Sequence, residues 1–322
     1  MNKNLFNIKK GALTTQQIVL LIILIASFVV ILYFFISADL GGESEKEVCH
    51  NSVVMKSHSA LPGDTELNCH RSYICITKDG SCEGMSKPEK KEVENVEEVY
   101  QVLADEMAEC WWMFGEGKID YVGKDAFLKK NYCSICSQIL FDDSLLEFEK
   151  IENGKIDKDN LYEYMSNKTI SSGLNQKEKS KTYLEYLLKT NNISRIKQKI
   201  VSSGNYTPDK EPSFGEIRVG LPHYVVMGVT SEVAGRAWKI AGAVITAVGG
   251  IFIPGPGWTY TGAVVGALIF GAGEVGAGIN PEIGAIAVEG EGIDNTFMAP
   301  TIVEVDSEKF EALNCEEIIT YA

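Results

Sequence analysis

The stretch from Ile18 to Ile36, IVLLIILIASFVVILYFFI, is nineteen residues long and holds no charge and no glycine. As a helix rising about 1.5 Å per residue it reaches roughly 28 Å, close to the ~30 Å hydrocarbon core of a bilayer. A single spanning helix is therefore expected, and the flanks orient it. Lys3, Lys9 and Lys10 precede the run without any acid, whereas Asp39, Glu43, Glu45 and Glu47 follow it. The positive-inside bias keeps such an amino terminus in the cytoplasm and puts the chain from about Ala38 onward outside. A cleaved secretory signal has a shorter apolar core, about 7 to 15 residues, and ends in small residues. Here Ile36-Ser37-Ala38 puts a bulky side chain where a small one is wanted. Residues 1–38 are thus expected to be a basic tip and a retained anchor.

The remainder has to be soluble in its own right. With 322 residues and 45% hydrophobic content the chain can bury one large or two small cores. Its formal net charge is -14, and three lysines are the only charges before Asp39, so the outer part is more acidic still. A surface of that sign repels phosphate backbones, which argues against nucleic acid as a partner. Cys49, Cys69, Cys75, Cys82, Cys110, Cys133, Cys136 and Cys315 all lie beyond the apolar run. An even number of cysteines on the oxidising side points to disulfides, and spacing alone does not choose the pairs. The sequons at Asn167, Asn192 and Asn205 fall in the same outer region.

After an acidic stalk over 39–47, residues 39–90 read as a cysteine-rich β subdomain. Ser52 to Met55 and Ser72 to Thr77 have strand character, and Asp79-Gly80 signals a hairpin turn. Cys49-His50 and Cys69-His70 hint at zinc. Adjacent residues rarely both reach one ion, however, and no C-x-x-C lies beside them, so disulfides are expected and no metal.

Residues 91–201 read as a helical subdomain. Val96, Val99, Tyr100, Leu103, Met107, Cys110, Trp111 and Phe114 fall at the three-and-four spacing of one helix face, stopped by Gly115 and Gly117. Trp111, Trp112 and Phe114 form an aromatic cluster expected to anchor the core, with a partner-facing patch as the alternative. A helix ending ECWWMFGEGK, followed by a paired-cysteine segment, resembles uncharacterised membrane-anchored archaeal surface proteins. That resemblance implies a location and brings no activity. Lys9-Lys10-Gly11 ahead of Ala12 to Gln17 and the apolar run is similar to the class III, type IV pilin-like signal of archaeal surface proteins. In that family the peptide is cut after the glycine and the helix is kept. Gln16 stands where the family carries glutamate, and Gly41-Gly42 would break the long helix of a pilin.

Cys133-Ser134-Ile135-Cys136 is the one motif with redox potential, since a thiol at a helix start is acidified by the dipole. A thioredoxin-like site needs an apolar strand before it, and Lys129-Lys130-Asn131-Tyr132 stands there instead. Structural pairing is the expectation, with one of the two reaching Cys110. From 157 to 201 the chain reads as charged amphipathic helices with solvated lysines and glutamates. Residues 202–235 read as a loop and strands.

A glycine-rich apolar hairpin is expected over 236–279. Ile240 to Gly273 carries no formal charge and is broken at Pro254-Gly255-Pro256-Gly257. Gly242, Thr246 and Gly250 on one arm, and Ala263, Ala267 and Gly271 on the other, recur every four residues, with Gly262 and Gly266 among them. In helices such faces permit close approach, so a helical hairpin in lipid or in a self-assembled bundle is expected, with Trp258 at the turn near the interface. Residues 280–322 then supply strands, and Cys315 staples the terminus back.

Catalytic signatures are thin. Gly271 to Gly276 spells G-x-G-x-x-G, but Gly278, Pro281 and Gly284 leave no room for the helix the dinucleotide fingerprint requires. His50, His58, His70 and His223 occur without H-E-x-x-H, and neither G-x-S-x-G nor a P-loop is present. The expectation is an α+β ectodomain on one amino-terminal transmembrane helix, without a cofactor and not an enzyme. Its partners are the lipid bilayer and either further copies of itself or another surface protein. A membrane-perturbing or pore-forming protein using the hairpin is the alternative, and a C-x-x-C thiol oxidoreductase a more distant one.

Overall fold

The computed structural model describes residues 15–37, 41–58, 67–122, 131–170, 180–203, 211–230, 251–254, 264–270, 282–293 and 295–321. The chain divides into two units, Met1–Glu45 and Lys46–Ala322. The first contains helix α1, Thr15–Ser37, 23 residues without glycine or proline. Its side chains are described from Gln16 to Val30 and all are exposed, Leu20 at 63% and Phe28 at 58% among them. Among the described residues no helix is long and apolar enough to cross a membrane.

The second unit is built on a nine-stranded mixed sheet of β1 (Ser72–Thr77), β2 (Glu89–Glu92), β3 (Asn131–Phe141), β6 (Pro222–Thr230), β7 (Ile251–Pro254), β8 (Val264–Phe270), β9 (Glu282–Glu289), β10 (Thr296–Glu304) and β11 (Glu317–Ile318). The order is β2-β1-β3-β6-β10-β9-β8-β7, with β11 also on β3. β1 runs parallel to β2 and β3, β11 runs parallel to β3, and every pair from β3–β6 to β7–β8 is antiparallel. A separate ladder joins β4 (Lys155–Asp157) to β5 (Glu216–Arg218).

The central strands NYCSICSQILF, PHYVVMGVT and TFMAPTIVE are buried almost throughout, as strands covered on both faces must be. Pro300 can donate no ladder hydrogen bond and falls in the irregularity between Met298 and Thr301. Alternation sorts side chains between the faces. Val225, Met227 and Val229 enter the main core, whereas Val226 joins Cys133, Ile135, Met298 and Leu313 on the other side.

The helices are α2 (Gly41–His58), α3 (Val96–Met113), α4 (Lys158–Asn167), α5 (Tyr183–Leu188), α6 (Ile193–Ser203) and α7 (Glu308–Glu311). The main core lies between the sheet and α3. The Asn95 side chain accepts from Glu98 N, and the Glu98 carboxylate accepts from Glu94 N, so two otherwise orphan donors are satisfied where α3 begins. Val99, Leu103 and Met107 on its buried face are 0 to 2% exposed. Each such burial contributes about 1.5–3 kcal/mol. Gly115, at φ +79°, ends the helix in a conformation that L-residues avoid.

Four expectations are corrected. Ser52 to Met55 belongs to α2, not to a strand, because Cys49 and Val53, 1% and 0% exposed, share one helix face four residues apart. Asp79-Gly80 makes a turn, with Gly80 at φ +76°, but β1 and β2 are parallel, so it closes no hairpin and 39–90 is not a separate β subdomain. The helical subdomain assigned to 91–201 contains β3, which joins β1 to β6 in the large sheet.

The fourth concerns the apolar hairpin, whose described parts are strands. Ile253 pairs with Ala267 and Pro254 with Gly266 across β7 and β8, and Ala267 pairs with Ile286 across β8 and β9. VVGALIF is rich in β-branched and aromatic residues, and a glycine inside a helix costs about 1 kcal/mol against alanine, so the helical reading loses to pairing with β9. Gly242, Thr246, Gly250, Trp258, Gly262, Ala263 and Gly271 lie outside the described residues, as does the third glycine of G-x-G-x-x-G.

Candidate functional site

The eight cysteines form Cys49–Cys69, Cys75–Cys82, Cys110–Cys136 and Cys133–Cys315. The C-x-x-C pair lies in β3 and not at a helix start. An odd separation along a strand puts side chains on opposite faces, so the two cannot easily bond each other. Cys136 points into the main core and bridges to Cys110 on α3, while Cys133 points into the second core and bridges to Cys315. One strand is thereby stapled to the layers on both of its sides, and neither sulfur is a free thiolate.

Of the aromatic cluster, Trp111 is 3% exposed with its edge toward Phe297, ring centroids 5.8 Å apart. Phe114 is fully buried 5.5 Å from Tyr121. Trp112 stacks at 4.2 Å on His50, whose Nδ1 lies 2.8 Å from the Trp112 carbonyl. Nearby, Lys46 reaches both Glu106 and Glu109. Burial opposes that ammonium, but Glu106 and Glu109 outweigh it and hold its pKa above the ordinary value. Burial likewise pushes the Glu106 carboxyl up, against the pull of Lys46.

The polar concavity lies elsewhere, in a cleft of about 840 Å³ at the meeting of the β4–β5 ladder, the start of β9, the end of β10 and α7. Its geometry begins with a glycine. Gly215 adopts φ +83°, and a Cβ there would fall 2.2 Å from the Glu282 carboxyl carbon, so only glycine leaves room for that carboxylate. Gly215 O accepts from Lys158 N, where Asp157 caps α4 by accepting from Asp159 N. Ile283 N donates to Ser213 O and ties β9 to the same turn.

These backbone ties bring Lys158 and Glu282 together although 124 positions separate them. Lys158 is 6% exposed; its Nζ lies 3.4 Å from Ile302 O and 3.6 Å from Glu282 Oε1, both long contacts for an ammonium. Burial pushes its pKa down, and Glu282 only partly offsets this. Glu282 Oε2 is held by Lys309 at 2.5 Å. Arg218 grips Glu304 through two hydrogen bonds, and Asp159 is held by Lys197 at 2.8 Å. Behind Asp159, Tyr162 stacks on Phe214 at 3.7 Å.

His223 completes the wall. Its ring is 2% exposed and presents its edge to Phe141, and Nδ1 lies 2.9 Å from Leu221 O. A carbonyl only accepts, so Nδ1 carries the proton and Nε2 is left as a bare acceptor. Burial pushes the imidazole pKa down to about 4, so the ring is neutral near pH 7. Chemically the cleft offers fixed donors and acceptors side by side. His223 Nδ1 is turned to the Leu221 carbonyl and not to a carboxylate, which sets the ring apart from the histidine of a hydrolytic triad. Among the described residues no three of His, Cys, Asp and Glu converge as metal ligands.

Little in the sequence marks this cleft, because Lys158 and Lys309 stand among neighbouring charges and Glu282 stands alone in an uncharged stretch. The one available signal was Gly215 beside Phe214, a glycine with no turn partner. The chain matches no known family model, no curated protein and no solved structure.

Proposed function

We propose that the protein is a cell-surface interaction protein, held by α1 in the membrane with Lys46–Ala322 outside, and that it is not an enzyme. The observation that carries this reading is α1 itself: 23 helical residues whose described apolar side chains are all exposed, next to a unit in which every cysteine is bridged. The described side chains, Gln16 to Val30, are only part of the apolar run, and it is with the uncharged sequence on to Ile36 that the run reaches roughly 28 Å, close to a bilayer core. Bare in water it would be an aggregation hazard. Four disulfides suit an oxidising compartment, and the basic start and acidic sequel suit an outward carboxyl terminus. The pairing of β8 with β9 favours a sheet-bound role for the second apolar arm over lipid insertion, and so favours an interaction domain over a pore.

The test is fractionation of cells expressing the full chain. After carbonate extraction the protein should stay in the membrane pellet and float with lipid, and a chain starting at Lys46 should be released as a soluble species. Recovery of the full chain in the carbonate supernatant would overturn the proposal.

A further inference from the structure

Buried groups of the cleft ask for opposite chemistry: the Lys158 ammonium is held only by long contacts, and the carboxylate oxygens Glu282 Oε1 and Asp159 Oδ1 accept no hydrogen bond among the described residues. The Lys158 ammonium has three donors but only the two long contacts at 3.4 and 3.6 Å, so it lacks a close anion. His223 Nδ1 is taken by Leu221 O, which leaves Nε2 as an acceptor for a donor. Lys158 and His223 both line the cleft. Around them the acids outnumber the bases, Asp306 and Glu308 at the rim being exposed. A purely anionic ligand would satisfy Lys158 but meet that rim, and a simple cation would satisfy the rim but leave Lys158 bare.

From this we infer that the cleft binds a small zwitterion, an amino acid or a dipeptide, its carboxylate on Lys158 Nζ and its ammonium toward His223 Nε2 and the acidic rim. The volume of about 840 Å³ lies in the range of small-molecule sites and leaves space for a side chain. Gly215 is what makes the arrangement possible, since it lets Glu282 draw back against the backbone and share its charge between Lys158 and Lys309. The inference concerns the cleft alone and does not depend on the membrane topology proposed above.

The experiment is calorimetric titration of the full-length protein in mild detergent with glycine, lysine and diglycine, and separately with acetate, ethylamine and glucose. At least one zwitterion should bind saturably, and acetate or ethylamine alone should not bind at the same concentrations. Lys158→Met should weaken the binding about tenfold or more, because it removes the buried partner of the carboxylate. Asp306→Asn, at an exposed position whose φ of +53° asparagine tolerates, should weaken it about threefold and remains informative if Lys158→Met fails to fold. Absence of saturable heat with every zwitterion, equal binding of acetate or glucose, or indifference of the binding to both substitutions would overturn the inference.

Discussion

His223 titrates in a direction that can be worked out from its burial. Its folded pKa of about 4 lies below the 6.5 of an accessible histidine. Above pH 6.5 both states are neutral and the ring is without effect on pH dependence. As pH falls below 6.5 the unfolded chain takes a proton that the native ring refuses until about pH 4, so stability is lost across that window, by about 3 kcal/mol in all. Glu106, whose carboxyl is raised by burial, works the other way, its contribution being lost as pH rises through its folded value. The two separate by mutation: the urea midpoint of His223→Gln should fall less than that of the wild type between pH 7 and pH 4.5. Parallel curves would contradict the burial argument. Gly215 gives a second residue-scale expectation. Gly215→Ala must both hold φ near +83° with a Cβ and displace the Glu282 carboxylate, at a cost of about 1–3 kcal/mol. Thermal melts at neutral pH check this, and an unchanged midpoint would mean that Glu282 moves freely. Neither residue was legible beforehand, because a lone histidine and a lone glycine acquire meaning only from partners far away in sequence.

The elements show where periodicity is informative and where it is not. The face of α3 could be read from its spacing, and Trp111 and Phe114 lie buried on it or at its end. Ser52 to Met55 could not, since a four-residue apolar cluster fits either a strand or one helical turn, and only the packing of Cys49 and Val53 decides. The small-xxx-small spacing on the second apolar arm also fits two periods, and pairing with β9 makes Gly266 and Ala267 members of a strand. Disulfide pairing depends on which face of β3 each cysteine occupies, which no spacing rule supplies. The four bridges close loops of very different length. Cys133–Cys315 spans 182 residues and Cys75–Cys82 spans 7. Loop-closure entropy then makes the former worth about 3 kcal/mol more than the latter. Pairwise replacement by serine should lower the urea midpoint far more for Cys133 with Cys315 than for Cys75 with Cys82. Equal losses would show that native packing and not chain entropy sets their value.

At the scale of the whole molecule, composition and charge pointed to an α+β unit with bridged cysteines, and the structure has that class, though nine of its eleven described strands form one sheet that runs across the separate subdomains the chain order suggested. Long-range pairing hides from a linear reading: β3 is central because β1, β6 and β11 converge on it from both ends of the chain. The central claim is that α1 is an anchor and that the bridged unit faces outward. Protease shaving of intact cells expressing the full chain, followed by mass analysis of what stays with the membrane, tests this most directly. The account predicts that a protected fragment containing α1 and the amino terminus remains while the unit from Lys46 onward is released or digested. Survival of the whole chain under protease that cleaves a known surface protein, with digestion only after the cells are opened, would contradict it.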